Sequence, residues 1–182
     1  MPTYIALLRG VNVGAGRKVP MHDLRALFEK LGHANVRTYI QSGNVVFTAK
    51  AGAPARVRSA IEQGIERDFG LEVAVLLRKP AELAKVLDRN PFGADAYVTF
   101  LDDLPEKKRV AALDPAPYRP DEFVVDGRNV FVRCPNGYGR TKINNTFFER
   151  ALATKATTRN LKTVTTLHEW AAGRPSSSGA GA

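Results

Sequence analysis

Val36-Arg37-Thr38-Tyr39-Ile40-Gln41-Ser42-Gly43-Asn44-Val45-Val46-Phe47 reads as two short runs of strand formers around a polar tip. Val36 to Ile40 and Val45 to Phe47 are the arms and Gln41 to Asn44 is a tight turn, so the segment predicts a β-hairpin. Its flanks decide the fold. Upstream, Tyr4 to Leu8 predicts a strand that empties into a glycine-rich basic loop, Arg9 to Lys18. Pro20 suits the first turn of a helix. Leu24, Leu27, Phe28 and Leu31 then form one apolar stripe, and Gly32 ends it. Downstream, Pro54 opens a helix with Val57, Ile61, Ile65 and Phe69 spaced by four, and Gly70 stops it. Leu71, Val73, Val75 and Leu77 alternate as a fourth strand. The order over residues 1–79 is β-α-β-β-α-β.

Residues 80–95 form a linker helix, with Pro80 at its start, Leu83, Val86 and Leu87 on one face, and Asn90-Pro91 as its stop. The same order then returns over residues 96–175. Tyr97 to Leu101 predicts a strand. Pro105 opens a short helix with Val110 and Leu113 inward, ended by Asp114-Pro115. Phe123 to Val125 and Val130 to Val132 flank the turn pair Asp126-Gly127 as a second hairpin. Ile143, Phe147, Ala151 and Leu152 mark a helix, and Ala156 to Arg159 a short last strand. Val164, Leu167 and Ala171 mark a C-terminal helix with Thr163 as N-cap. Residues 176–182 are small and polar, a disordered tail by expectation. The predicted class is α+β: two ferredoxin-like (α/β-plait) subdomains with helices on one face of each antiparallel sheet. Each is near the lower size limit for independent stability, so the two are expected to pack together.

Composition narrows the function classes. Of 182 residues, 44% are hydrophobic and 25% charged, which supports a packed core and excludes disorder for most of the length. No apolar run approaches the roughly 18 to 20 residues that span a bilayer, so no membrane partner is expected. Met1 to Arg9 lacks a basic n-region and a cleavage site and reads as a first strand rather than a signal peptide. Cys134 is the single cysteine, which rules out an intrachain disulfide and favours a cytoplasmic home. It precedes Pro135 at a strand end, and an inert half-buried thiol is expected rather than a reactive one. His22, His33 and His168 stand apart with no partner at ligand spacing, so no metal site and no cofactor is expected. His22 and His33 bracket the first helix and are expected at the surface. No Ser-His-Asp or Cys-His set is evident. Asp102-Asp103 and Asp121-Glu122 read as solvated carboxylates.

The net charge of +9 is uneven. Residues 91–127 hold 4 basic and 8 acidic side chains, net −4. Residues 128–162 hold 8 basic side chains against Glu149 alone, net +7. This swing predicts a positive surface that prefers anions, with a solvated basic face as the alternative.

Four segments are candidates for chemistry. In Arg9 to Lys18, glycines free backbone N–H groups, Arg9, Arg17 and Lys18 add charge, Asn12 adds an amide, and a helix start follows, all of which favours an anion. The loop is neither a Walker A run nor a dinucleotide fingerprint, because Val19 stands where a third glycine is needed. Gln41 to Asn44 offers polar groups at a hairpin tip, although turn chemistry explains them first, with Gly43 or Asn44 at positive φ. Gly137 to Asn145 carries Arg140, Lys142 and Asn144 near a helix start, where cations oppose the helix dipole and an anion would offset that cost. Thr157-Thr158-Arg159-Asn160 combines hydroxyls, a guanidinium and an amide, a set that suits either phosphate recognition or a capped helix start. The third strands carry one Phe each, too few aromatics for base stacking on the sheet face, so any nucleic-acid contact there would be to phosphates.

Ala6 to Gly14, Val19-Pro20-Met21 with Leu24-Arg25, and Arg37 to Phe47 resemble the bacterial family catalogued as domain of unknown function 1697. Thr141 to Glu149 and Ala156 to Asn160 resemble its later motifs, so the likeness runs over about residues 3 to 172. Leu161 departs from it, the family often having Trp there. The resemblance implies a cytosolic protein of two ferredoxin-like subdomains and implies no activity.

The residues support three readings. The first is a binding protein for an anionic ligand, either nucleic-acid phosphates or a phosphorylated small molecule, held by Arg9, Asn12, Arg17, Lys18, Asn44, Arg140, Lys142, Asn144, Arg159 and Asn160. The second is an enzyme with its site in a cleft between the two subdomains. The third is a protein–protein interaction module that uses an exposed sheet face or edge strand.

Overall fold

The structure is a computed structural model that describes residues 1–16 and 18–174. The tail expected at 176–182 and Arg17 lie outside the described residues. The elements of the first half are β1 (Thr3–Leu8), α1 (Met21–Lys30), β2 (Ala34–Tyr39), β3 (Asn44–Thr48), α2 (Pro54–Phe69), β4 (Val75–Arg78) and α3 (Pro80–Arg89). Those of the second are β5 (Tyr97–Leu101), α4 (Lys107–Ala111), β6 (Glu122–Asp126), β7 (Asn129–Arg133), α5 (Asn145–Leu152), β8 (Ala156–Asn160) and α6 (Leu161–Ala171). The class is α+β, with two four-stranded antiparallel sheets and six α-helices among the described residues.

The sheets have the orders β2-β3-β1-β4 and β6-β7-β5-β8. In each, the first strand of the half lies at the centre, between the third and the fourth. The registers correspond as well. Ile5 faces Val46 and Arg78 across its two ladders, and Val98 faces Phe131 and Arg159. A buried arginine therefore occupies the same position in both sheets. After it, β4 and β8 each lead straight into a helix.

Period-two alternation sets the core of the first unit. Tyr4, Ala6 and Leu8 of β1 cluster with Leu24, Leu27 and Phe28 of α1 and with Val57, Ile61 and Ile65 of α2. Full burial of a ring such as Phe28 or Phe47 contributes on the order of 2–3 kcal/mol. Close approach of the two helices depends on Gly64, where a Cβ would stand 2.8 Å from Leu27 Cδ1. Ile5 and Leu7, on the other face of β1, are also fully buried. In the second unit, Leu101, Phe123, Val130 and Val132 pack with Ile143, Phe148 and Leu152.

Contacts group the chain as Met1–Lys85 with the segment from Thr165, and Val86–Val164. The end of α6 thus belongs with the first unit rather than the second, where the sequence placed it. Trp170 meets Tyr39 edge-on at 5.3 Å, and the Arg37 guanidinium lies 3.7 Å from the Trp170 ring centroid. Helix periodicity cannot reveal such a partner.

Other boundaries also shift. β4 starts at Val75 rather than Leu71, because β1 pairs only with Val75 to Arg78, while Leu71 and Val73 still pack on the core. The α4 helix starts at Lys107, two residues after Pro105. Ile143 is buried ahead of α5 rather than within it. The N-cap of α6 is Asn160 rather than Thr163: its Oδ1 accepts the Thr163 N–H at 2.8 Å.

His33 was expected at the surface and is 8% exposed. Its ring lies among Phe28 and Phe47, and its Nδ1 accepts the Lys50 N–H at 3.2 Å. That bond requires the neutral ring, and Nε2 has no partner. Burial lowers the His33 pKa below 6.5. The folded state therefore takes up its proton at lower pH than the unfolded chain. The stability His33 supports is complete above about pH 6.5 and is lost as pH falls through the folded value. Urea unfolding at pH 7.5 and pH 5 checks this: the acid-induced loss is expected to be smaller in His33→Phe than in the parent.

Candidate functional site

In the first unit the polar motifs are fastened to one another. Gly10 and Gly14 adopt positive φ, as does Asn12 at 56°. Asn12 Nδ2 donates to the carbonyls of Val19 at 2.9 Å and Gln41 at 2.8 Å, and its Oδ1 accepts the Val19 N–H at 2.7 Å. A single amide side chain thus closes the Arg9–Lys18 loop and ties it to the hairpin tip. Lys18 Nζ donates to the Gly14 carbonyl at 2.7 Å. Arg9 is half-buried, and its N–H donates to the Ala74 carbonyl at 3.0 Å.

Gly43, at φ +85°, seats the tip: a Cβ there would come within 2.6 Å of Val11 Cγ2 and 2.8 Å of Leu8 Cβ. Asn44 is fully buried, and its Nδ2 donates to the Tyr39 carbonyl at 2.9 Å and to Ser42 Oγ at 3.0 Å. The positive φ falls on Gly43 and on Ile40 (48°), not on Asn44. Ile40 is a β-branched residue in a left-handed conformation, a strain of roughly 1–2 kcal/mol. Both motifs are thus turn and loop chemistry, as expected for the hairpin tip.

In the second unit one hydroxyl organises the candidate residues. Thr158 Oγ1 lies 2.6 Å from Asn145 Oδ1, which can only accept, so Thr158 donates there. Its one proton is then used, and Thr99 at 2.7 Å and Tyr138 at 3.0 Å must donate to it. Thr158 thereby joins β8 to β5, to the first residue of α5, and to the Tyr138–Arg140 turn. The Tyr138 ring stacks on Tyr97 with centroids 4.9 Å apart, and burial raises the Tyr138 pKa. Asn144 caps α5, its Oδ1 accepting the Phe147 N–H at 3.1 Å. Thr141 Oγ1 donates to Asp121 Oδ2 at 2.7 Å and accepts the Ile143 N–H at 3.2 Å.

Arg159 is buried in β8. Its Nη1 donates to Thr157 Oγ1 at 2.8 Å and to the Thr158 carbonyl at 3.0 Å, and desolvation pushes its pKa down to about 10. It remains charged at neutral pH and lines neither of the pockets described below. In the Thr157–Asn160 segment, Asn160 caps α6 and Thr158 holds its neighbours in position. Arg140 and Lys142 precede α5 by five and three residues, outside its first turn, so opposition to the helix dipole does not apply to them.

Arg140 and Lys142 do come together, and Arg119 joins them. With Pro117, Tyr118, Pro120, Asp121, Asn136 and Gly137 they line a pocket of about 300 Å³. Among the described residues, no hydrogen bond or ion pair engages the three cationic side chains, and the one carboxylate, Asp121, is held by Thr141. A larger depression of about 640 Å³ lies against Tyr97, Arg133, Cys134, Gly137, Asn160 and Lys162. Cys134 is 9% exposed and its thiol is pushed up by burial, which fits an inert group.

Residues 1–131 match the family described as Protein of unknown function (DUF1697). The chain belongs to that family. The matched span ends before Thr141–Glu149 and Ala156–Asn160, two of the segments expected to resemble the family. No curated protein matches the chain. Among solved structures, this family member is similar to the conserved bacterial protein SP0830 from Streptococcus pneumoniae. The identity is 22% and the TM-score 0.72, over 93% of this chain and 98% of that one. The likeness shows the fold alone.

Among the described residues no group of three or more His, Cys, Asp or Glu is placed to hold a metal, and no helix is long and apolar enough to cross a membrane. Sequence reasoning missed Arg119, which lies in an acidic stretch, and Tyr97, Tyr118 and Tyr138. That Thr141 binds Asp121, and that Arg119 two residues earlier lines the same pocket as Arg140 and Lys142, is legible only in three dimensions.

Thr158→Val leaves the Tyr138 and Thr99 hydroxyls and the Asn145 carbonyl oxygen without their partner. It is expected to cost about 2–4 kcal/mol in urea unfolding. Thr158→Ser keeps the hydroxyl and should lose under about 1 kcal/mol.

Proposed function

We propose that this protein binds an anionic, phosphate-bearing ligand in the pocket between the 117–121 segment and the 136–142 loop. The supporting observation is the convergence of Arg119, Arg140 and Lys142 on one concavity, with no partner among the described residues. Two guanidiniums and an ammonium suit phosphate or carboxylate oxygens, because the forked N–H groups of arginine match their geometry. Asp121, which accepts from Thr141, leaves the lining with three cations against one carboxylate, a net positive field.

The walls of the pocket are held from beneath: Thr141 is clamped to Asp121, and Tyr138 is hung from Thr158. A preorganised site loses less entropy when it binds. We also infer that each unit is a ferredoxin-like one. Its element order and its sheet, with the first strand between third and fourth, fit that arrangement.

Isothermal titration with inorganic phosphate and with a nucleoside 5′-monophosphate, at 20–50 mM salt, tests the reading. Arg140→Ala/Lys142→Ala is expected to weaken binding at least about tenfold, as two charge-assisted contacts of 1 kcal/mol or more each imply. Unchanged affinity in the double variant, or no heat in the parent, overturns it.

A further inference from the structure

The basic pocket does not end at its own rim. Gly137 lines both it and the larger depression, so the four-residue turn Cys134-Pro135-Asn136-Gly137, closed by the Gly137 N–H on the Cys134 carbonyl at 3.0 Å, is their shared wall. The two concavities are alike in chemistry. Each places a half-buried tyrosine beside cations: Tyr118 with Arg119, Arg140 and Lys142 on one side, and Tyr97 with Lys162 and the Glu122-paired Arg133 on the other. Both rings are braced from behind, Tyr118 by Phe147 with centroids 4.9 Å apart and Tyr97 by Tyr138. Arg133 being paired with Glu122, four further cations, Arg119, Arg140, Lys142 and Lys162, face the lining carboxylates Asp95 and Asp121.

We propose that the two pockets, on either side of the Cys134–Gly137 turn, form one track for single-stranded nucleic acid. This rests on the phosphate-binding reading of the smaller pocket and extends it. Braced aromatic rings set beside cations match a chain that carries both a charged backbone and flat bases. A duplex keeps its bases stacked inside and gives the tyrosines nothing to meet. A simple polyanion uses the cations and leaves the rings idle. The sheet face plays no part in this track, in keeping with its aromatic-poor third strands. The rings come instead from the start of β5 and from the loop before β6.

Fluorescence anisotropy with a labelled 12-nucleotide oligouridylate tests the track. A nucleoside 5′-monophosphate, a 12-base-pair duplex and inorganic polyphosphate of equal charge serve as competitors. The oligonucleotide is expected to bind at least about tenfold more tightly than the monophosphate and more tightly than duplex or polyphosphate. Its log K should fall with log salt at a slope of about −2 to −3.5, the value for three to five phosphate contacts on a single strand. Lys162→Glu, an exposed change in the larger depression, should weaken the oligonucleotide several-fold and leave the monophosphate unchanged. Equal affinity for monophosphate and oligonucleotide, equal competition by polyphosphate or duplex, or an unaffected Lys162→Glu variant overturns the track while the single-pocket reading stands. If Arg140→Ala/Lys142→Ala leaves the monophosphate unaffected, the underlying reading fails with it.

Discussion

A hydroxyl group has one proton to give and two lone pairs to receive, and Thr158 uses all three. It gives to Asn145 and takes from Thr99 and Tyr138. Through that one atom the last strand of the second sheet, its central strand, the start of α5 and the Tyr138–Arg140 turn hold common positions. The basic pocket depends on this, because Arg140 and Lys142 sit on a short 3-10 turn and an irregular stretch with no ladder of their own. Without the hydroxyl, three polar groups lose their partner and the loop loses its anchor.

The first unit solves the same problem with an amide. Asn12 closes the loop after β1 and binds the hairpin tip, and Gly43 lets Val11 and Leu8 close over it. In both units the residues that look most like ligand contacts, the asparagines and threonines of the polar motifs, hold backbone in place. Their chemistry suits an anion because it suits any exposed N–H or carbonyl, and the backbone offers such groups nearby. The cations of the second unit differ. Arg119, Arg140 and Lys142 are exposed and form no ion pair among the described residues, and the proposed anion site rests on that arrangement.

Element order was legible because it rests on local patterns. The stripe through Leu24, Leu27, Phe28 and Leu31, the four-residue spacing through Val57, Ile61 and Ile65, and the turn pair at Asp126-Gly127 each lie within a dozen residues. Errors appeared where a partner distant in sequence decides. β4 begins at Val75 because β1 offers partners only from there. His33 is buried because Phe47 comes back beside Phe28 through the β3 ladder. The cap of α6 moves to Asn160 because β8 runs directly into the helix.

By itself, the sequence determined the strand and helix order, its repetition, the concentration of positive charge in residues 128–162 and the polar character of the motif loops. Each follows from composition and short-range periodicity, which act along the chain. Only the tertiary structure decided which polar groups were already spent. It buried Arg159 and Asn44, turned Asn12, Asn144 and Asn160 to structural work, and brought Arg119 from an acidic stretch to stand with Arg140 and Lys142. Hydrogen-bond capacity is finite and is filled by neighbours in space. Which side chains keep theirs for a ligand is therefore set by the fold, through contacts that residue spacing does not encode.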